Sequence, residues 1–202
     1  MVERPFKIVL TGGPGAGKST AADMIGREFP DRVVVLKETA TFLFDAGFPR
    51  KGSETVARAC QRAIYQVQIE MEEAIANGRP DRVILCDRGT LDGAVYWPDG
   101  PEGFFTAVGT TIEHELERYD AVVFFETAAA GGIEMTDNNP HRIESASEAV
   151  KIDGALRSMW ERHRRFRFVP HSDSFFSKVG DALAVVRGLL GELRPWQRPA
   201  GA

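Results

Sequence analysis

Residues 12–19 read Gly-Gly-Pro-Gly-Ala-Gly-Lys-Ser, a full G-x-x-x-x-G-K-[ST] phosphate loop placed directly after the apolar run Phe6 to Leu10. This feature limits the fold more than any other, because the loop works only between a strand that ends in it and a helix that begins in it. The helix-compatible stretch from Ser19 to Phe29 supplies the second half. Gly12, Gly13, Pro14, Gly15, Ala16, Gly17, Lys18, Ser19 and Thr20 are therefore expected to hold the phosphates of ATP or GTP. Successive backbone N–H groups converge on the anion, and Lys18, read as an exposed point charge, reaches the β and γ phosphates. The Ser19 hydroxyl takes a Mg²⁺ position, and the positive end of the helix points at the same site.

Beyond the loop, short β-branched runs alternate with helical stretches. Strands are expected near 6–11, 33–37, 82–87, 121–125 and 166–170, and helices near 18–28, 54–77, 111–118, 146–163 and 175–192. That alternation predicts a parallel sheet wrapped by helices. On the 54–77 helix, Val56, Cys60, Ile64, Val67, Met71 and Ile75 recur at helical spacing and are read as a core stripe facing the sheet. Thr110 with Glu113, and Ser145 with Glu148, fit capping boxes. Trp97 to Gly103 reads as a turn-rich connector, and about 128–145, rich in Gly, Ala and turn residues, reads as a lid.

The length of 202 residues suits one domain, taken as 1–193 with a frayed tail at 194–202. With 25 basic and 29 acidic residues the net charge is −4, which argues for a small-molecule partner over nucleic acid or a membrane surface. No apolar run approaches the ~20 residues of a membrane span, so a cytoplasmic location is expected. Cys60 and Cys86 lack zinc-ligand spacing and are read as reduced core residues. Oligomeric state is left open.

Several residues are expected to gather around the loop. Asp87 ends the run Val83 to Cys86 and is the natural carboxylate for Mg²⁺; an N-cap role for the next segment is the alternative. Arg88 follows, either to bind a phosphoryl group or as a surface arginine beside a turn. Glu38, at the end of the second strand, is either a base for a substrate hydroxyl or a salt-bridge partner of Lys18 or a nearby arginine. Asp92 is the next candidate base. Arg58, Gln61, Tyr65 and Gln68 share a polar helix face that either reads the acceptor or is merely solvated, and Arg142 in the lid is a candidate for transition-state charge.

With these motifs in hand, the chain resembles the AAA-type ATP- and GTP-binding family that includes the ribosylnicotinamide-kinase domain of bacterial NAD-regulator proteins. The likeness runs through Leu-Thr-Gly-Gly-Pro-Gly-Ala-Gly-Lys-Ser, the Glu38 segment, Cys-Gln-Arg-Ala-Ile-Tyr-Gln-Val-Gln, Asp-Arg-Gly-Thr-Leu-Asp-Gly-Ala-Val-Tyr, Asn-Pro-His-Arg-Ile-Glu and Phe-Phe-Ser-Lys-Val. It implies a three-layer α/β sandwich with a five-stranded parallel sheet, a P-loop NTPase fold with a lid.

The leading functional expectation is a Mg²⁺-dependent kinase that moves the γ-phosphoryl of ATP to a nucleoside-like hydroxyl. The alternative is an ATP- or GTP-dependent binding or switch protein with slow hydrolysis. An ordinary GTPase is disfavoured because the chain lacks an Asn-Lys-x-Asp motif. A mechanical ATPase is disfavoured because Asp87 is followed by Arg88 where a neighbouring glutamate would position water.

Overall fold

Five strands, β1 (Lys7–Thr11), β2 (Val33–Leu36), β3 (Val83–Asp87), β4 (Ala121–Phe125) and β5 (Phe166–Val169), form one parallel sheet in the order β2-β3-β1-β4-β5. The computed structural model describes residues 4–131 and 145–192. Of the expected lid, residues 132–144 lie outside the described residues, and so does Arg142; the expected tail at 194–202 lies outside them as well.

The strands are apolar on both sides because helices cover both faces. Alternate residues of β1 point in opposite directions. Ile8 and Leu10 enter a core closed by α1 (Lys18–Glu28) and α8 (Phe175–Glu192). Val9 enters a second core with Cys86, Phe124, Phe104 and Trp160, closed by the helices between β2 and β5. Both cysteines are free and buried. No described helix is long and apolar enough to cross a membrane.

Three local expectations are corrected. The stretch after Trp97 is not a mere connector: α5 (Gly100–Val108) begins inside it, with Pro101 in its first turn, where the missing N–H costs nothing. Trp97 itself is buried edge-on against Phe104. The cap of α6 (Ile112–Glu117) is Thr111, whose hydroxyl accepts from His114 N, while Thr110 donates to Glu115. Ser145 and Glu148 do form the capping box of α7 (Ala146–Trp160).

The third correction bears on function. In α3 (Glu54–Gly78) the deeply buried residues are Cys60, Gln68 and Glu72, and the rest of the apolar stripe is only half-buried. Cys60, Ile64, Met71 and Ile75 line a cavity. Helical periodicity shows which residues share a face, and here that face meets open space as well as the core.

Candidate functional site

Pairing of β1 with β3 sets the site, because the register Leu10↔Asp87 brings the ends of both strands to one edge of the sheet. Arg88 N donates to Leu10 O at 2.9 Å and locks the crossover from β3 beside the phosphate loop. Ligands in open α/β sheets collect at this carboxyl edge. Here a cavity of about 940 Å³ opens, with the loop on one side and α3 on the other.

The loop keeps its shape through its glycines. Gly12 has φ 134° and lies so close to β4 that a Cβ would stand 2.0 Å from the Phe125 carbonyl oxygen. Gly17, φ 84°, is the N-cap of α1 and so turns the chain from loop into helix. Lys18 is buried, contrary to the sequence reading of an exposed charge: its ammonium donates to Gly12 O at 2.9 Å and Gly13 O at 2.8 Å. Burial, reinforced by the positive charge of Arg88, brings its pKa down to about 7, against the pull of Asp87, Glu38 and Asp92.

Asp87 sits at the end of β3 and is buried, with its Oδ1 lacking any hydrogen-bond partner among the described residues. Burial, then the nearby charge of Glu38, raises its pKa to about 6 despite Lys18 and a hydrogen bond with Ser19. An orphaned carboxylate oxygen beside a hydroxyl is a donor set that fits Mg²⁺, a cation that takes one or two protein oxygens and fills its shell with phosphate and water. Ser19 and Asp87 are therefore the residues able to hold it.

Arg88 is held on two sides. It is the non-glycine residue with positive φ, 81°, among the described residues. Its Nε donates to Glu38 Oε1 at 2.5 Å and its Nη1 to Asp92 Oδ2 at 2.9 Å. Asp92 also accepts from Thr11 Oγ1 at 2.9 Å and from the Trp160 indole at 2.8 Å, so it is fully engaged. Glu38, the N-cap residue of α2 (Thr39–Asp45), accepts a second bond from Thr41 Oγ1 at 2.5 Å. Burial alone would raise Glu38, but Arg88, the Thr41 hydroxyl and Lys18 more than reverse this and hold it at about 2. The structure thus pairs Glu38 with Arg88, one of the two arrangements left open by the sequence.

Across the cavity, Gln61, Tyr65 and Gln68 contribute to its wall. The Tyr65 hydroxyl donates to Glu115 at 2.8 Å; burial and that carboxylate raise its pKa to about 12. Gln68 is buried and donates to Glu72 at 3.1 Å and to Arg88 O at 3.3 Å, so it belongs to a buried network and not to a solvated face. Arg58 is not brought into the cavity: its guanidinium pairs with Asp99 and Glu54 at the protein surface.

Residues 7–176 match the model of a family described as an AAA domain. The chain belongs to this AAA-domain family. Membership and the all-parallel sheet together show the P-loop NTPase fold, a fold that points to nucleotide binding. A search of curated proteins found no match.

Two loop supports escaped the sequence reading, Thr127 and Asp153. Thr127 Oγ1 donates to Pro14 O at 2.5 Å, and Asp153 Oδ1 accepts from Gly13 N at 2.8 Å. Neither carries a local signal, since both act across more than a hundred residues of chain.

Proposed function

We propose that this AAA-domain protein is a Mg²⁺-dependent phosphotransferase that moves the γ-phosphoryl group of ATP to a hydroxyl of a small, nucleoside-like acceptor. The observation that carries this reading is the continuity of the cavity. One space joins Lys18 and Ser19 to the half-apolar wall of α3, with Glu38 and Arg88 between them. Its volume, about 940 Å³, stands at the upper end of the roughly 300–1,000 Å³ that small-ligand pockets occupy. The resemblance to ribosylnicotinamide kinase supports the nucleoside-like acceptor.

The geometry supports a role for each residue. Lys18 leaves the carbonyls of Gly12 and Gly13 for the incoming phosphates, whose charge favours its protonated form. Bound at Ser19 and Asp87, Mg²⁺ supplies neutralisation of phosphate charge. Arg88 is drawn toward the transferring group, where a planar guanidinium can contact two phosphoryl oxygens. Glu38 then loses its strongest partner, its pKa rises toward the range that burial favours, and it can accept the acceptor's proton. Held near 2 in the resting protein, Glu38 is a poor base until the nucleotide arrives. Asp92, tied to Thr11 and Trp160, keeps Arg88 in reach. Ile64, Tyr65 and Met71 offer apolar surface for a flat acceptor and Gln61 an amide for its polar edge. Arg142 keeps the transition-state role assigned from sequence.

The test incubates the protein with Mg²⁺-ATP and a panel of nucleosides and vitamins, with products followed by mass spectrometry. A phosphorylated acceptor formed with matching ADP supports the reading. ADP and free phosphate at the same rate with and without every acceptor would sink it in favour of a slow NTPase or switch.

A further inference from the structure

Two backbone N–H groups converge on one carboxylate oxygen beneath the phosphate loop. Asp153 Oδ1 accepts from Gly13 N at 2.8 Å and from Thr127 N at 2.9 Å. The side chain is buried, and a Cβ on Gly13 would stand 2.7 Å from that oxygen and 2.8 Å from the Asp153 Cβ. Loop and helix are in contact with no room between them.

This placement is unusual on charge grounds. A carboxylate next to an anion-binding loop repels the phosphates the loop must hold. Burial raises the Asp153 pKa, while its bonds from Gly13 and Thr127 and the charge of Lys18 act to keep it ionised. Lys178 on α8 is close enough to feel the Asp153 charge, but its ammonium donates to Glu126 O at 2.5 Å. What the carboxylate does is hold the Gly13 amide and so fix the position from which the later loop amides are aimed.

The helix that carries Asp153 is anchored at its other end to the opposite side of the site. Trp160, one heptad along α7 and so on nearly the same face, is fully buried, donates to Asp92 Oδ1 at 2.8 Å, and packs so closely on Gly89 that a Cβ there would stand 2.7 Å from its ring. Asp92 in turn holds Arg88. One rigid helix therefore touches the phosphate loop at Asp153 and the Arg88 support at Trp160, about 10 Å apart along its axis.

We propose that Asp153 is a positioning residue: through α7 it sets the phosphate loop at a fixed distance from Arg88, acting on the nucleotide only by way of the loop backbone. This rests on the reading that the loop holds a triphosphate, not on phosphoryl transfer, so the test measures binding alone. The probe is Mg²⁺ with inorganic tripolyphosphate, titrated calorimetrically into wild type, Asp153→Ala, Asp153→Asn and Asp153→Glu, with folding checked by circular dichroism.

Asp153→Ala is expected to weaken tripolyphosphate on the order of tenfold or more, the size of a lost bond to a charged group. Asp153→Asn keeps an acceptor oxygen in place and removes a repelling charge, so it should bind as tightly as wild type or more tightly. Asp153→Glu keeps the charge but moves the oxygen by one methylene into Gly13, so it should bind more weakly; this arm stands in for Asp153→Ala if that variant fails to fold. Hydrogen exchange on the ligand-free protein should show faster exchange at Gly13 and Thr127 in Asp153→Ala and Asp153→Glu, with Asp153→Asn unchanged. A folded Asp153→Ala with wild-type affinity and exchange would overturn the proposal, and so would an Asp153→Asn as impaired as Asp153→Ala. Failure of the kinase reading would appear instead as absent transfer, with these affinities unaffected.

Discussion

Replacing Arg88 by methionine tests whether the Glu38–Arg88–Asp92 cluster is as tightly built as its distances imply. Arg88 and Glu38 are each 17% exposed at the side chain and Asp92 5%, so the methionine would leave two carboxylates without their cation in a poorly solvated place. Breaking a buried pair from one side costs about 3 to 5 kcal/mol. The Glu38 pKa gives an independent figure: its depression from 4.5 to about 2 corresponds to roughly 3 kcal/mol of folding free energy. The sign is fixed by the direction of the shift. A depressed carboxylate stabilises the fold fully above 4.5 and loses that contribution as pH falls toward 2. Urea denaturation should thus show Arg88→Met less stable by about 3 kcal/mol or more at pH 7, with the difference shrinking by more than half between about pH 5 and pH 3. Arg88→Gly should lose about 1 kcal/mol less than Arg88→Met, because it relieves a non-glycine residue at φ 81°. A loss below about 1 kcal/mol at pH 7, or one that does not change with pH, would refute the cluster as described.

Other expectations concern binding and turnover. Asp87→Asn should remove most of the Mg²⁺ dependence of nucleotide binding, whereas Glu38→Gln should leave affinity nearly intact and lower kcat by about 10²- to 10⁴-fold; calorimetry and steady-state kinetics separate the two, and normal turnover in Glu38→Gln would make Glu38 structural. Lys18→Met should abolish detectable triphosphate binding in a protein that still folds, and unchanged ATP and GTP affinity would remove the phosphate-loop assignment. Affinity for Mg²⁺-ATP should peak between about pH 6 and 7. Below that range Asp87 is protonated and holds metal poorly; above it Lys18 is neutral and must take up a proton, costing up to about tenfold per pH unit. Calorimetry in buffers of different ionisation enthalpy would report net proton uptake above pH 7, and a flat profile would contradict both shifts.

The parts of this molecule that could be read from sequence are those in which cause and effect lie close along the chain. β1, the loop and α1 form one covalently continuous unit, so the motif located all three, and α1 spans Lys18–Glu28 as expected. Asp87 was legible because a buried strand that ends in a carboxylate is itself a local pattern. The helix α5 was missed since Pro101 and its glycine neighbours resemble a breaker until the proline is seen in a first turn. The apolar stripe of α3 was placed on one face correctly but its surroundings were not, because periodicity carries no information about what packs opposite. Gln68 went into the core for the same reason: a chain of buried partners, Thr39, Glu72 and Arg88 O, satisfies its amide, and none of them is visible from its own helix. Thr127, Asp153 and Trp160 act only through tertiary contact, so no spacing rule could have found them.

In the proposed reaction the γ-phosphoryl group goes to a second molecule in the α3 side of the cavity and not to water. Single-turnover quench with γ-labelled ATP, Mg²⁺ and the acceptor found by screening measures that partition directly. The acceptor should speed ATP consumption by on the order of 10²-fold and carry nearly all the label, and the large-to-small change Ile64→Ala on the cavity wall should lower this acceptor-dependent rate while basal hydrolysis stays the same. Label appearing only in free phosphate, at a rate no acceptor alters, would contradict transfer to an acceptor.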